Sequence, residues 1–147
     1  MTMPSPVHEA ASGRLRALDQ RYTRTRRAIV DALGAAANPL TIPEILGAGK
    51  KLAMSSVYRN LALLEEAGIV HRIVTTDEFA RYELAEGLTA KHHHHLICVS
   101  CGKIEDFTAS PQLEDSATSS LSKIAARAGF TVRSHRLDVL GVCRNCA

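Results

Sequence analysis

The chain has 147 residues, a formal net charge of +3, 46% apolar and 4% aromatic residues, and no tryptophan. That length suits one ordinary domain or two small ones, with a core resting on Leu, Ile, Val and Ala. No run approaches the ~18 apolar residues of a membrane span, and "MTMPSPVHEA" has no apolar signal region, so a cytoplasmic protein is expected, in which four cysteines seldom mean two disulfides.

In chain order, residues 1–12 read as frayed and Arg14–Arg21 as a short helix. Arg14, Arg16, Arg21, Arg24, Arg26 and Arg27 stand against Asp19 alone, a density that suggests a phosphate-facing surface. "TRTRRAIVDALGAAA" predicts a helix with Ile29, Val30, Leu33 and Ala37 on one face, ended before Pro39. "TIPEILGAG" predicts a second, with Thr41 and Glu44 as a capping box and Gly47 and Gly49 closing it. "MSSVYRNLALLEEAG" predicts a third, with a serine N-cap, an apolar stripe at Val57, Leu61 and Leu64, and Gly68 as its stop. Its other side carries Ser56, Arg59 and Asn60, with Tyr58 at the margin.

"IVHRIVTT" and "FARYELA" then read as a hairpin turning at Asp77–Glu78. Helices followed by a hairpin are the layout of a winged helix-turn-helix, the last helix being the recognition helix. "EGLTAK", 86–91, reads as a linker. Beyond it, "HHLICVS" and "KIEDFTA" pair as strands, Ser110 and Pro111 start a helix that Gly129 ends, and "TVRSHRLDVLGVC" alternates as a final strand. The expected class is α+β: a winged-helix DNA-binding domain at 1–86 and a small α+β domain at 87–147. A unit as small as the second gains from a metal staple.

The strongest chemical signal is Cys98-x-x-Cys101 with Cys143-x-x-Cys146. Two such knuckles supply a closed tetrahedral sulfur set for structural Zn2+, with no open position for catalysis. His92, His93, His94 and His95 precede the first knuckle. On an extended backbone they alternate faces, so one tract can serve two metal sites. His93 and His95 then need partners from the preceding half, and His71 and Glu83 are the candidates. For His92 and His94 the partners are Glu114 and His135, and Asp106 or Glu105 could join either site.

These residues together resemble the ferric uptake regulator family of bacterial metal-dependent repressors. The resemblance is carried by "SSVYRNLALLEEAGIVHRI", "RYEL", "HHHHLICVSCGKIEDF", His135 and "CRNC". It implies a homodimer whose second domain is the dimerisation domain, with Tyr58 and Arg59 touching DNA and Arg26 contacting phosphate. It assigns the four cysteines to a structural zinc site. His93, His95 and Glu83 fall in a regulatory site between the domains. His92, His94 and His135 fall in an additional site, which Glu114 joins if one residue is inserted after Phe107. Many iron- and peroxide-responsive members take a regulatory histidine from the loop that reads "ANPLT" here, and Pro39 lies in its place. The His71 position is the one zinc-responsive members use. The pattern leans to zinc and leaves Fe2+ or Mn2+ open.

The implied function is a repressor of metal-uptake genes that binds a palindromic double-stranded operator as a metal-loaded homodimer, with no membrane partner. Arg24, Arg26 and Arg27 suit phosphates; Ser56, Tyr58, Arg59 and Asn60 lie on the recognition helix, with Tyr58 and Arg59 placed for bases. Iron- or peroxide-responsive regulation is the alternative within the family. A zinc-dependent hydrolase is the alternative outside it, though no His-Glu-x-x-His, Gly-x-Ser-x-Gly or glycine-rich phosphate loop occurs.

Overall fold

The computed structural model describes residues 5–48, 51–75, 79–89 and 91–147. The elements run α1 (Ser5–Arg16), α2 (Arg24–Ala35), β1 (Leu40–Thr41), α3 (Ile42–Ala48), α4 (Met54–Glu66), β2 (Val70–Val74), β3 (Ala80–Leu84), α5 (Glu86–Thr89), β4 (His94–Cys98), β5 (Ile104–Phe107), α6 (Pro111–Arg127) and β6 (Asp138–Gly141). They form an α+β fold: a helical N-terminal part carrying one three-stranded sheet, and a C-terminal part built on another.

The first part follows from its apolar spacing. Ile29, Val30 and Leu33 of α2 and Val57, Leu61 and Leu64 of α4 are buried in one core with Ile45, Ile69, Val70, Tyr82 and Leu84. Leu61 is fully enclosed, so truncating it to alanine would cost roughly 2–5 kcal/mol. Thr23 caps α2 by accepting from the Arg26 N–H. Thr41 and Glu44 cap α3 reciprocally, each side chain meeting the other's backbone N–H. Gly68 takes φ +73° just past α4, a left-handed conformation that costs glycine little. The wing is the antiparallel pair β2–β3, in which His71 faces Glu83.

Several expectations are corrected. The frayed stretch is α1 from Ser5 onward, because Val7, Ala11 and Leu15 have the core to pack on and His8 is buried. It ends at Arg16, short of Arg21. Ala37 lies beyond α2 and is exposed. The N-cap of α4 is Ala53, without a side-chain bond, so the helix begins one residue before the serines. The first four of the six residues of the expected linker are the helical turn α5, whose Leu88 completes the first core. The final strand is only Asp138–Gly141, since residues 131–137 make a connection rather than a ladder. The proposed turn at Asp77–Glu78, and Gly49, lie outside the described residues.

The second sheet has the order β5-β4-β6, with β5 antiparallel and β6 parallel to β4. Ser110 caps α6, accepting from Leu113 N–H, and Pro111 occupies its first turn. No residue of α6 is buried. Ile97 and Ile104, joined by Ile73 of the wing, are the small core beneath this sheet. The other buried side chains of β4 are His94, His95 and Cys98, so metal-type ligands stand where a larger domain would place aliphatics.

Candidate metal centres

The sheet itself assembles the cysteines. Cys98 ends β4 opposite Gly141 of the parallel strand β6, which brings the knuckle after β6 to the knuckle after β4. The four sulfurs lie within 4.8 Å of one another, and none forms a disulfide. Backbone N–H groups of Cys101 and Cys143 point at Cys98 Sγ at 3.5 and 3.3 Å. Those two donors hold the Cys98 thiol down to about 6, while hydrogen bonding with Cys143 and Cys101 pushes Cys146 up to about 12. Hydrogen bonds aimed at sulfur favour thiolate, the form a zinc ion takes.

The histidines divide by face. His93 and His95 meet Glu83 and Asp106 in a cluster whose ligand atoms lie within 4.8 Å of one another. His93 Nε2 is 2.9 Å and His95 Nε2 3.2 Å from Glu83 Oε2, and they lie 3.9 and 3.6 Å from Asp106. Glu83 comes from the wing and the other three from the second sheet region, so this cluster joins the two parts of the chain. Burial alone would raise the Glu83 carboxyl, but hydrogen bonds from His71, His95 and His93 outweigh it and hold it well below the carboxylate range. Burial likewise opposes charge on His93 and His95, yet Glu83 raises both. Burial and then the nearby Glu83 raise Asp106.

His71 stands beside this cluster rather than in it. Its Nδ1 is 3.5 Å from Glu83 Oε1, and Arg136 Nη1 lies 2.6 Å from that nitrogen and against Nε2. Glu105 turns away to Lys103 at 2.8 Å. On the other face, His92, His94, Glu114 and His135 form a third cluster within 4.8 Å. Glu114 is its hub, 2.5 Å from His94 Nε2, 2.9 Å from His135 Nε2 and 3.2 Å from His92 Nε2. These contacts, that of His94 foremost, lower its carboxyl.

Several partners of the clusters had no signal in the spacing alone. Asp138 Oδ1 is 3.2 Å from His95 Nδ1, and Glu86 Oε2 is 3.2 Å from His92 Nδ1. A carboxylate on the far nitrogen fixes the proton there and turns Nε2 toward an ion. His94 differs: its Nδ1 accepts from Leu137 N–H at 3.1 Å, which places the proton of the neutral ring on Nε2, toward Glu114. In the "ANPLT" loop, Pro39 is buried and the adjacent Asn38 makes the reach, its Oδ1 accepting from Asp106 N–H at 3.3 Å. The donor sets suit divalent ions: soft S4 for zinc, and mixed imidazole–carboxylate sets for zinc, iron or manganese.

On α4, the expected recognition helix, Tyr58 and Arg59 are exposed. Asn60 is committed internally: its Oδ1 accepts from Arg26 Nε at 2.8 Å and its Nδ2 donates to Ser56 O and Oγ. That bond to Asn60 ties α2 to α4, and Arg26 also donates to Arg21 O in the segment before α2. Arg24 and Arg27 are exposed, and the Arg27 guanidinium sits 4.8 Å over the Tyr22 ring. Arg14 faces inward, donating to Gly68 O at the end of α4.

Residues 17–140 match the ferric uptake regulator family. The chain is 33% identical over 102 residues to the ferric uptake regulation protein of Legionella pneumophila, covering 69% of each chain. It is 35% identical over 133 residues to the peroxide operon regulator of Bacillus subtilis, covering 86% of this chain and 84% of that one. Its fold superposes on the Helicobacter pylori ferric uptake regulator, described as having three functional metal-binding sites. The TM-score is 0.72 at 26% identity, covering 95% of this chain and 91% of that one. The chain therefore belongs to the ferric uptake regulator family, whose members are transcriptional regulators and not enzymes.

Proposed function

We propose that this protein is a metal-dependent repressor of metal-uptake genes, acting in the cytoplasm as a homodimer on a palindromic operator. One observation carries the reading: Glu83 of the wing meets His93, His95 and Asp106 within 4.8 Å. Those four side chains would hold a divalent ion, which supplies charge and directional bonds between the two parts. We keep 1–86 as the DNA-binding part and 87–147 as the dimerisation part, joined at α5. Restraining the angle between them sets the separation of recognition helices in a two-fold dimer. That separation must match one helical turn, ~34–36 Å, or a multiple of it. A 100-fold switch requires about 2.7 kcal/mol of differential affinity between the two shapes.

Two imidazoles and two carboxylates form an oxygen-rich set, which favours Fe2+ or Mn2+ as the sensed ion. A second reading has its own observation. His71 lies 3.5 Å from Glu83, and its entry would make a three-imidazole set suited to Zn2+. Peroxide-responsive regulation would use the iron-loaded form of the first set. The four cysteines would hold structural Zn2+, and His92, His94, Glu114 and His135 an additional ion once the Leu137 bond to His94 yields.

The test is retention of a randomised duplex library by protein stripped of all but cysteine-held zinc, then retitrated anaerobically with Zn2+, Fe2+ or Mn2+. Selective enrichment of a palindrome by one ion, abolished in His93→Ala, is the expected result. Equal enrichment without added ion would overturn the proposal.

A further inference from the structure

Glu86, Gly87 and Arg14 belong neither to a metal cluster nor to the DNA-facing surface, yet they form one contact chain between the two. Glu86 heads α5 at the joint of the chain. Its Oε2 is 3.2 Å from His92 Nδ1, and its Oε1 accepts from His93 N–H at 3.3 Å. His92 Nε2 faces Glu114 at 3.2 Å. Glu86 therefore orients His92 as an outer carboxylate orients a metal-bound imidazole, a contact whose loss typically lowers ion affinity about 10–100-fold.

The next residue is committed on its other side. A Cβ at Gly87 would lie 2.7 Å from Arg14 Nη2, so the guanidinium occupies the space that any side chain would need. The same guanidinium donates from Nη1 to Gly68 O, the carbonyl at the left-handed residue ending the recognition helix. Arg14 is half-buried on α1, whose Ala11 and Leu15 are fixed in the core. Moving α5 therefore moves Arg14 against the end of α4.

We propose that Glu86, Gly87 and Arg14 couple the His92–His94–Glu114–His135 site to the recognition helix. Glu86 is the positioning residue for His92, and Arg14 passes the placement of α5 to Gly68. The inference rests on the reading of that cluster as an ion site. Coupling of this kind is reciprocal: whatever steadies α4 also tightens ion binding at the cluster.

The test uses full-length protein in a Glu83→Ala background, so that the regulatory cluster is disabled, with the cysteines zinc-loaded. Zn2+ is titrated against a chelator, and amide hydrogen exchange is followed in peptides spanning 86–89 and 64–70. Added Zn2+ is expected to slow exchange in both. Arg14→Met should keep the slowing at 86–89 while losing it at 64–70, with Zn2+ affinity reduced only by the share that the link to α4 contributes. Gly87→Ala, which displaces the guanidinium from the other side, should give the same split. Glu86→Gln keeps an oxygen for His93 N–H but loses the carboxylate on His92, so affinity should fall about 10–100-fold with the melting temperature unchanged. Full slowing at 64–70 in both Arg14→Met and Gly87→Ala would overturn the coupling. Failure of the Glu83→Ala protein to bind zinc beyond the cysteine site would instead overturn the ion-site reading itself.

Discussion

His71 and Glu83 face each other across the wing, with Nδ1 and Oε1 3.5 Å apart, and Arg136 holds the same imidazole from the far side. A cation against the ring competes with an ion for its nitrogens, so Arg136 would hold His71 out of the proposed donor set. Arg136→Ala should release it. Cobalt(II) substituted at this site is expected to show weak visible bands in the parent protein and several-fold stronger, tetrahedral-type bands in Arg136→Ala. Adding His71→Ala should reverse the change. Unchanged bands in Arg136→Ala would show that His71 takes no part with or without the arginine.

The cysteine cluster carries a stability prediction. The second sheet has Ile97 and Ile104 as its own buried aliphatics, so a zinc ion bound there would contribute directly to folding. Cys98→Ser or Cys143→Ser should release one tightly held zinc per chain. A loss of about 3 kcal/mol would lower Tm by roughly 6–12 °C in a chain of this size. Calorimetry with metal analysis checks both, and unchanged values would remove the structural role.

Protein stripped of its regulatory ion should have a pH optimum set by Glu83, His93 and His95. Glu83 titrates lower folded than unfolded, so its contribution is full above its ordinary 4.5 and is lost as pH falls toward the folded value. His93 and His95 titrate higher folded, so theirs is full below 6.5 and is lost as pH rises through the folded values above 6.5. Asp106 is raised and offsets part of the Glu83 gain. Urea stability should peak between about 4.5 and 6.5. In Glu83→Gln the loss on the alkaline side should flatten.

Contacts with DNA should separate into two kinds. Arg24→Ala or Arg27→Ala is expected to reduce the dependence of log affinity on log salt by about 0.9 each, equally on all sequences. Arg59→Ala should cost about 1–3 kcal/mol on the preferred site and little on random duplex. Asn60→Ala should act indirectly, by freeing Arg26 from its 2.8 Å bond to α4. Filter binding across a salt series distinguishes the three outcomes.

Periodic features were legible in the chain. The stripe Val57, Leu61, Leu64 follows from helical spacing, and the division of His92–His95 between two clusters follows from alternation on extended backbone. Features set by long-range packing were not. Arg14 looks like another member of a basic run until the end of α4 comes to lie beside it. Glu86–Thr89 is polar and short enough to pass for a linker, yet Leu88 has a core to enter. The choice between His71 and Asp106 beside Glu83 depends on where Arg136 falls, which nothing in local spacing encodes. Only the fold brings Asn38 to Asp106, residues 68 positions apart in sequence.

Leu113 and Ile124 of α6, Phe130 beyond it, and Val139, Leu140 and Val142 on and after β6 are all exposed in the single chain. In the proposed dimer that oily skin is shared, and the free energy of hiding it depends on how often two copies meet. A lone subunit would be the most fragile form of this protein. Dilution alone, with no change of ion or acidity, should loosen its C-terminal part, so the number of copies in a cell would itself help decide whether the regulator endures.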